Sequence, residues 1–328
     1  MQESTKTEAY FQVLDQGAEK IRSIEDNLYI EALGTMGEML FQRDFTPAGE
    51  DLRLELEQSA ASLPKEMHRE EVRRAIQLAV LKGMKEAVQP HHAMTPDAVA
   101  LFMGYLTNLL LKKEEGKPVL LDPAVGSGNL MTAVLNQLSE DAHFVAAEPD
   151  ETLLKLAFMN ANLQEHEVDL FHQDSVASPL LDHADAVVCD LPAGYYPDDE
   201  TAAGFKVKAK DEKTYVHHLL IERSIRHVKE GGFLILLVPN QLFQSDQSAG
   251  LQEMIREQAH IYAVLQLPET MFKTRSSGKS MLILRKKKDG IIPPSQALLA
   301  EMPSFTKEAA LADMMKRISG WIEENVHG

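Results

Sequence analysis

Val119-Leu120-Leu121-Asp122-Pro123-Ala124-Val125-Gly126-Ser127-Gly128-Asn129-Leu130 is the stretch whose reading decides the fold. Its apolar start reads as a buried strand. Asp122-Pro123 stops that strand, because proline offers no N–H to a central ladder. Two glycines then make a tight loop over which a ligand can approach the backbone closely. Leu130, Val134, Leu135 and Leu138 recur at helical spacing. Strand, glycine loop and helix form the first turn of a doubly wound α/β sheet, where such sheets bind nucleotides.

Two nucleotide patterns fail here. The dinucleotide fingerprint needs a third glycine, and Met131 stands there. The phosphate loop G-x-x-x-x-G-K-[ST] is missing. Instead the acid Asp122 sits just before the glycines. A carboxylate at that point repels a phosphate and suits a cationic amine. S-adenosylmethionine (SAM) carries an ammonium and a sulfonium and no phosphate. The segment resembles motif I of the class I SAM-dependent methyltransferases, and its D-P-A-x-G-S-G form is most similar to the amino-methylating DNA methyltransferases. The resemblance makes Asp122, Pro123, Ala124, Gly126, Ser127, Gly128 and Asn129 candidate cofactor contacts. The plainer alternative is a βα turn of some other α/β protein.

The 328 residues suffice for one large or two moderate domains, and 44% hydrophobic with 25% charged residues is ordinary for a globular chain. No apolar run approaches the ~20 residues of a membrane helix. The first residues are polar, without a signal-peptide core, and the single cysteine, Cys189, excludes an internal disulfide and a cysteine-based zinc site. A cytoplasmic protein without a membrane partner or a metal is expected. Cys189, in the apolar run Ala186-Val187-Val188-Cys189, reads as a small buried strand residue. The net charge of -17 opposes loading onto DNA, so nucleic-acid binding is expected to be weak and a protein substrate stays open.

Residues 1–90 read as a helical domain. Tyr10, Phe11, Leu14, Ala18, Ile21 and Ile24 give one helix, Ile30, Leu33, Met36 and Leu40 a second, and Val72, Ile76, Ala79, Val80 and Met84 another. Leu52, Leu54 and Leu56 alternate, but their Glu/Leu-rich company favours helix. The bundle suits recognition or dimerisation, or is a structural cap. His91 and His92 read as solvated loop histidines, since no carboxylate at ligand spacing accompanies them. Thr95 reads as an N-cap with Pro96 at the first helical position, opening a helix through Val99, Phe102, Met103 and Leu106 towards Lys112 and Lys113. This also resembles the Thr-Pro motif before motif I of adenine-specific DNA methyltransferases. That resemblance makes Met94, Thr95 and Pro96 cofactor candidates.

After motif I comes a second strand, His143 to Glu148. An acid about twenty residues past the glycine loop is placed to accept from both ribose hydroxyls, and Glu148 fills that role. Pro149-Asp150 starts the next helix, and the resemblance names this motif II. A third strand, near Val168 to His172, leads to Asp174 and Ser175. In the family an Asp here accepts from the adenine 6-amino group; Asp174 equally suits a turn.

The strand Asp185 to Cys189 ends in Asp190-Leu191-Pro192-Ala193-Gly194-Tyr195-Tyr196-Pro197. Acid-Pro at the carboxyl end of an inner strand is where α/β sheets place chemistry. It resembles motif IV, [N/D]-P-P-[F/Y], of methyltransferases acting on planar nitrogens. There oxygen acceptors take the amino hydrogens, freeing the delocalised lone pair, and an aromatic ring stacks on the flipped base. Leu191 and Ala193 depart from the motif. Asp190 and Pro192 remain as catalytic candidates, Asp190 also at the cofactor, and Tyr195 or Tyr196 is left to supply the ring. The polar stretch 198–213, with Lys206, Lys208 and Lys210 among Asp198, Asp199, Glu200, Asp211 and Glu212, reads as a solvated lid rather than a phosphate-tracking loop.

Helix Tyr215 to Val228, a turn at Gly231-Gly232, a buried strand Phe233 to Val238, a helix Gln247 to Glu257 and a closing antiparallel pair, Ile261 to Leu267 and Ser280 to Arg285, complete the pattern. The runs "EGGFLILLVPNQLF", "LPETMF" and "KSMLILRKK" resemble modification subunits of type I restriction systems. The expected fold is α/β, a seven-stranded Rossmann-like methyltransferase domain over 91–290. An N-terminal helical domain precedes it at 1–90, and a short helical tail follows at 291–328. That tail is expected to be too short for a target-recognition domain. The leading expectation is a SAM-dependent N-methyltransferase of the adenine-specific DNA type. A protein glutamine-amide methyltransferase and a SAM-binding protein without catalysis are the alternatives, and the helical domain leaves a dimer open.

Overall fold

A computed structural model describes residues 5–86, 94–112, 116–210, 213–272, 274 and 277–327. The readings of His91, His92, Lys113, Asp211 and Glu212 lie outside the described residues. Strands β1 (Val119–Asp122), β2 (His143–Ala147), β3 (Val168–Phe171), β4 (Ala184–Asp190), β5 (Val228–Pro239), β6 (Ala259–Gln266), β7 (Lys279–Lys286) and β8 (Leu298–Glu301) form one sheet. Its order is β3-β2-β1-β4-β5-β7-β6-β8. Only β7 runs antiparallel, against both β5 and β6. β1 and β4 are neighbours at the point where the strand order reverses. That switch point opens a crevice at the strands' carboxyl ends. The inner strands are buried on both faces, which is why Leu120-Leu121, Ala186 to Cys189 and Leu234 to Leu237 are unbroken apolar runs.

Helices α1 (Lys6–Glu25), α2 (Tyr29–Gln42), α3 (Glu50–Ala61) and α4 (Arg69–Glu86) make the N-terminal bundle. α5 (Asp97–Leu111), α6 (Asn129–Leu135) and α7 (Glu151–Leu163) follow, then the short α8 (Asp199–Ala202), α9 (Val216–His227), α10 (Ser248–Gln258) and α11 (Glu308–Asn325). One face of the sheet is covered by α5, α6 and α11, the other by α9 and α10.

Four local readings change. An eighth strand, β8, adds to the seven expected and pairs in parallel with β6. The tail is therefore a strand plus a helix packed into the main core: Ile318 and Ile322 are buried there, and Trp321 meets Tyr262 edge-on at 6.3 Å. A four-residue, half-buried edge strand has too little periodicity to read from sequence. Gly231-Gly232 is a bulge inside β5 and not a turn. Gly231 has φ +78°, the register slips between Ala184 and Ala186, and a Cβ on Gly232 would stand 2.7 Å from the Asp185 carbonyl oxygen. The stretch from 201 to 210 is docked, not a solvated lid. Phe205, Val207 and Ala209 are buried between the outward lysines, and the buried Glu222 carboxylate accepts the backbone N–H groups of Lys206 (3.2 Å) and Val207 (3.0 Å). Last, Thr95 does not cap α5: the capping position is Pro96, without a side-chain bond, and the Thr95 hydroxyl is used elsewhere.

The helical bundle shares its core with the α/β part. Leu153, Leu156 and Met159 of α7 belong to the same buried cluster as Leu14, Leu33, Met36 and Ile76. Contact is close because Gly37 of α2 lies under Met159, where a Cβ would come within 2.1 Å of the Met159 Cγ. Gly37→Val is expected to lower stability by about 1–3 kcal/mol through overpacking. Urea unfolding checks this, and an unchanged midpoint would show that the α2–α7 contact yields freely.

Candidate functional site

The glycine loop follows β1. Asp122 is 1% exposed and accepts the Ala124 N–H at 3.0 Å. Burial pushes its carboxyl up to about 7; the charges of Asp190 and Glu148 add to this, while hydrogen bonds from the Cys189 thiol and Ala124 oppose it. Cys189 is itself buried, and burial and Asp122 hold its thiol well above the usual range. Gly126 (φ +57°) and Gly128 (φ +78°) take left-handed backbone that other residues avoid. A Cβ on Gly126 would meet only open space, so the loop is uncovered there. A Cβ on Gly128 would sit 3.1 Å from the Ala157 Cα, so glycine lets the loop rest on α7. The Ser127 carbonyl accepts from Asn160 Nδ2 at 3.3 Å.

Glu148, just past β2, stands beside this loop. Its Oε2 accepts the Gly126 N–H at 2.9 Å and its Oε1 the Asp150 N–H at 3.1 Å. Asp150 caps α7 through the Leu153 N–H, and the Pro149 carbonyl accepts from the His172 ring. At the end of β3, Asp174 Oδ1 accepts the Val176 N–H at 2.8 Å and Oδ2 the Tyr196 hydroxyl at 2.5 Å. Next to it the Ser175 hydroxyl is buried with no hydrogen-bond partner among the described residues.

At the end of β4, Asp190 Oδ1 pairs with Lys279 Nζ at 2.5 Å, and Oδ2 accepts the Thr95 hydroxyl at 2.9 Å. Lys279 opens β7 and reaches Asp190 across the end of β5. Leu191 is fully buried and its N–H donates to the Leu237 carbonyl, so this departure from the motif continues the sheet. Pro192, Ala193 and Gly194 are exposed. The two tyrosines separate: Tyr196 is buried on Asp174, while Tyr195 is 53% exposed and stacks on Tyr215 with ring centroids 4.8 Å apart. Tyr215 stacks in turn on His217 at 5.1 Å. Met94 is half-buried and packs against the helical core.

The site thus draws together Thr95, Asp122 to Asn129, Glu148 and Asp190. Sequence reasoning missed Lys279 and Arg73. Lys279 stands one position before the strand read as Ser280 to Arg285, whose apolar residues carried that reading. Arg73 was legible as a charge in the apolar stripe of Val72, Ile76 and Val80, a position where an arginine needs buried partners.

The arrangement can be compared with known proteins. The family model described as N-6 DNA methylase matches residues 86–315. The chain belongs to the N-6 DNA methylase family. It is a SAM-dependent methyltransferase by class. A further family model, described as the YtxK N-terminal helical domain, matches residues 8–84. The chain is 42% identical over 325 residues to the uncharacterized protein YtxK of Bacillus subtilis, covering 96% of this chain and 97% of that one. It is 37% identical to a candidate class I SAM-dependent methyltransferase of Listeria monocytogenes, covering 96% and 98% of the two chains with a TM-score of 0.90. The methyltransferase subunit of a Streptococcus thermophilus type I restriction-modification system shares the fold, with a TM-score of 0.65 at 16% identity over 95% of this chain and 74% of that one. Among the described residues no helix is long and apolar enough to cross a membrane, and no cluster of His, Cys, Asp or Glu could hold a metal ion.

Lys279→Met strands a largely buried carboxylate, and is expected to cost about 1–3 kcal/mol in denaturant unfolding at neutral pH. Wild-type stability in that variant would show that Asp190 is balanced by other groups.

Proposed function

We propose that SAM lies over the Gly126 loop and that its methyl group goes to the exocyclic amino nitrogen of a planar acceptor, with adenine in nucleic acid as the acceptor class. Thr95 carries the reading. Its carbonyl accepts from Asn129 of the glycine loop at 3.1 Å, and its hydroxyl donates to Asp190 at 2.9 Å. One residue therefore ties the donor loop to the acid of the acceptor loop.

The residues fit this donor. Asp122 would favour its ammonium, Glu148 its ribose hydroxyls, and the unpartnered Ser175 hydroxyl with Asp174 its adenine edge. SAM supplies an electrophilic methyl group on a sulfonium. The chain's part is positioning. Asp190 is held by Lys279 and Thr95, yet each carboxylate oxygen keeps a further lone pair to accept an amino hydrogen. Pro192 stiffens the loop beside it. The exposed face of Tyr195 offers the ring that Ala193 cannot, and its stacking on Tyr215 holds it upright.

A protein amide as acceptor is the second reading, favoured by the net charge of -17. Labelled SAM incubated with a cell lysate separates the two: label in nucleic acid supports adenine, label in protein the amide. Label in neither fraction overturns the transfer.

The buried acid makes donor affinity depend on pH. A cationic ligand prefers Asp122 ionised, so with the unliganded carboxyl near 7 binding takes up no proton above that pH and must expel one below it. SAM affinity is expected to fall by up to about tenfold per unit as pH drops below 7, and to lose that dependence in Asp122→Asn. Calorimetry measures it; a flat wild-type profile would remove Asp122 from the ammonium site. Asp190→Ala is expected to bind SAM normally and to transfer no methyl, as read by the labelling assay. Retained activity would refute its acceptor-side role.

A further inference from the structure

The network at Thr95 does not end in the α/β domain. Arg73 lies on α4 of the helical bundle and its side chain is 0% exposed. Its Nη1 donates to Asn129 Oδ1 at 2.8 Å. Its Nη2 donates to Asp97 Oδ1 at 2.5 Å and to Glu70 Oε1 at 2.7 Å, and its Nε donates to Glu70 Oε2 at 2.7 Å. Asn129 is the residue directly after the second glycine, and its amide has two ends. The oxygen takes Arg73, and the nitrogen gives to the Thr95 carbonyl. Thr95 then donates to Asp190.

Burying a guanidinium costs several kcal/mol unless it is well paired. Here the two carboxylates offset that cost: burial alone would lower the pKa of Arg73, and the bonds to Glu70 and Asp97 leave it raised. The planar fork fixes three partners at once, which a lysine cannot do. Two of those partners, Asp97 and Asn129, lie outside the bundle. The arginine therefore sets the amide of Asn129 from a different structural unit, and that amide sets the backbone of the Thr95 turn.

We propose that Arg73 is a positioning residue for the methyl donor, through which the N-terminal helical bundle completes the SAM loop. This rests on the reading that SAM lies over Gly126. It gives the bundle a role beyond a cap. Loss of the guanidinium would loosen Asn129, the Thr95 turn and Asp190 together.

Full-length Arg73→Gln, Arg73→Lys and Ile76→Ala test it by SAM titration at temperatures where each is folded. Ile76 is fully buried in the bundle core and has no polar contact with the loop, so Ile76→Ala matches a loss of stability without touching the network. Arg73→Gln is expected to weaken SAM binding about tenfold or more, Arg73→Lys by less, and Ile76→Ala by under twofold despite a lower melting temperature. Should Arg73→Gln not fold, Arg73→Lys and Asp97→Asn carry the same comparison, each expected to weaken SAM binding more than Ile76→Ala. Arginine variants that bind SAM as well as wild type overturn the proposal, as does Ile76→Ala losing affinity in step with them. A wild type that binds no SAM instead overturns the cofactor reading on which the proposal rests.

Discussion

Three carboxylates converge at the carboxyl edge of the sheet, in a chain that already carries a net charge of -17. Each is balanced differently. Glu148 takes two backbone N–H groups. Asp190 takes a lysine and a threonine hydroxyl. Asp122 is left with one backbone N–H and a thiol, and burial drives it towards the protonated form. A site so arranged repels phosphate and gains from a cation. The absence of a dinucleotide or phosphate-loop pattern from this loop is in keeping with that field.

The same edge explains the glycines. Gly126 leaves the surface above the loop open, and Gly128 lets the loop pack on α7. α7 in turn carries the helical bundle on its far side through Met159 and Gly37. The bundle is thus built onto the element that supports the glycine loop, and Arg73 adds a polar tie to the apolar one. A helical region without a motif of its own is joined to the glycine loop by packing and by the buried Arg73 guanidinium.

Much of this was legible in the sequence. The run from Val119 to Leu130 announced strand, loop and helix because burial on both faces demands unbroken apolar residues and the turn demands glycine. Glu148 followed from its distance past the loop. The less legible parts depend on contacts between distant residues. Nothing local to Lys279 says that it reaches Asp190, 89 positions away. Thr95 looks like a helix cap, and its true partner lies 95 positions on. Tyr195 and Tyr196 are alike in sequence, and only the Asp174 contact of Tyr196 and the stack of Tyr195 on Tyr215 tell them apart. The acids flanking the lysines at 206–210 suggested a solvated lid, while the residues alternating with those lysines, Phe205, Val207 and Ala209, carried the structural information.

The central claim is that an adenosyl ligand with a cationic amine occupies the space over Gly126. Crystals of the full-length protein grown with S-adenosylhomocysteine test it most directly. The account predicts density over the Gly126 loop, with the ribose hydroxyls at Glu148 and the adenine beside Asp174 and Ser175. Ligand density elsewhere on the molecule, or a loop left uncovered at saturating ligand, would contradict it.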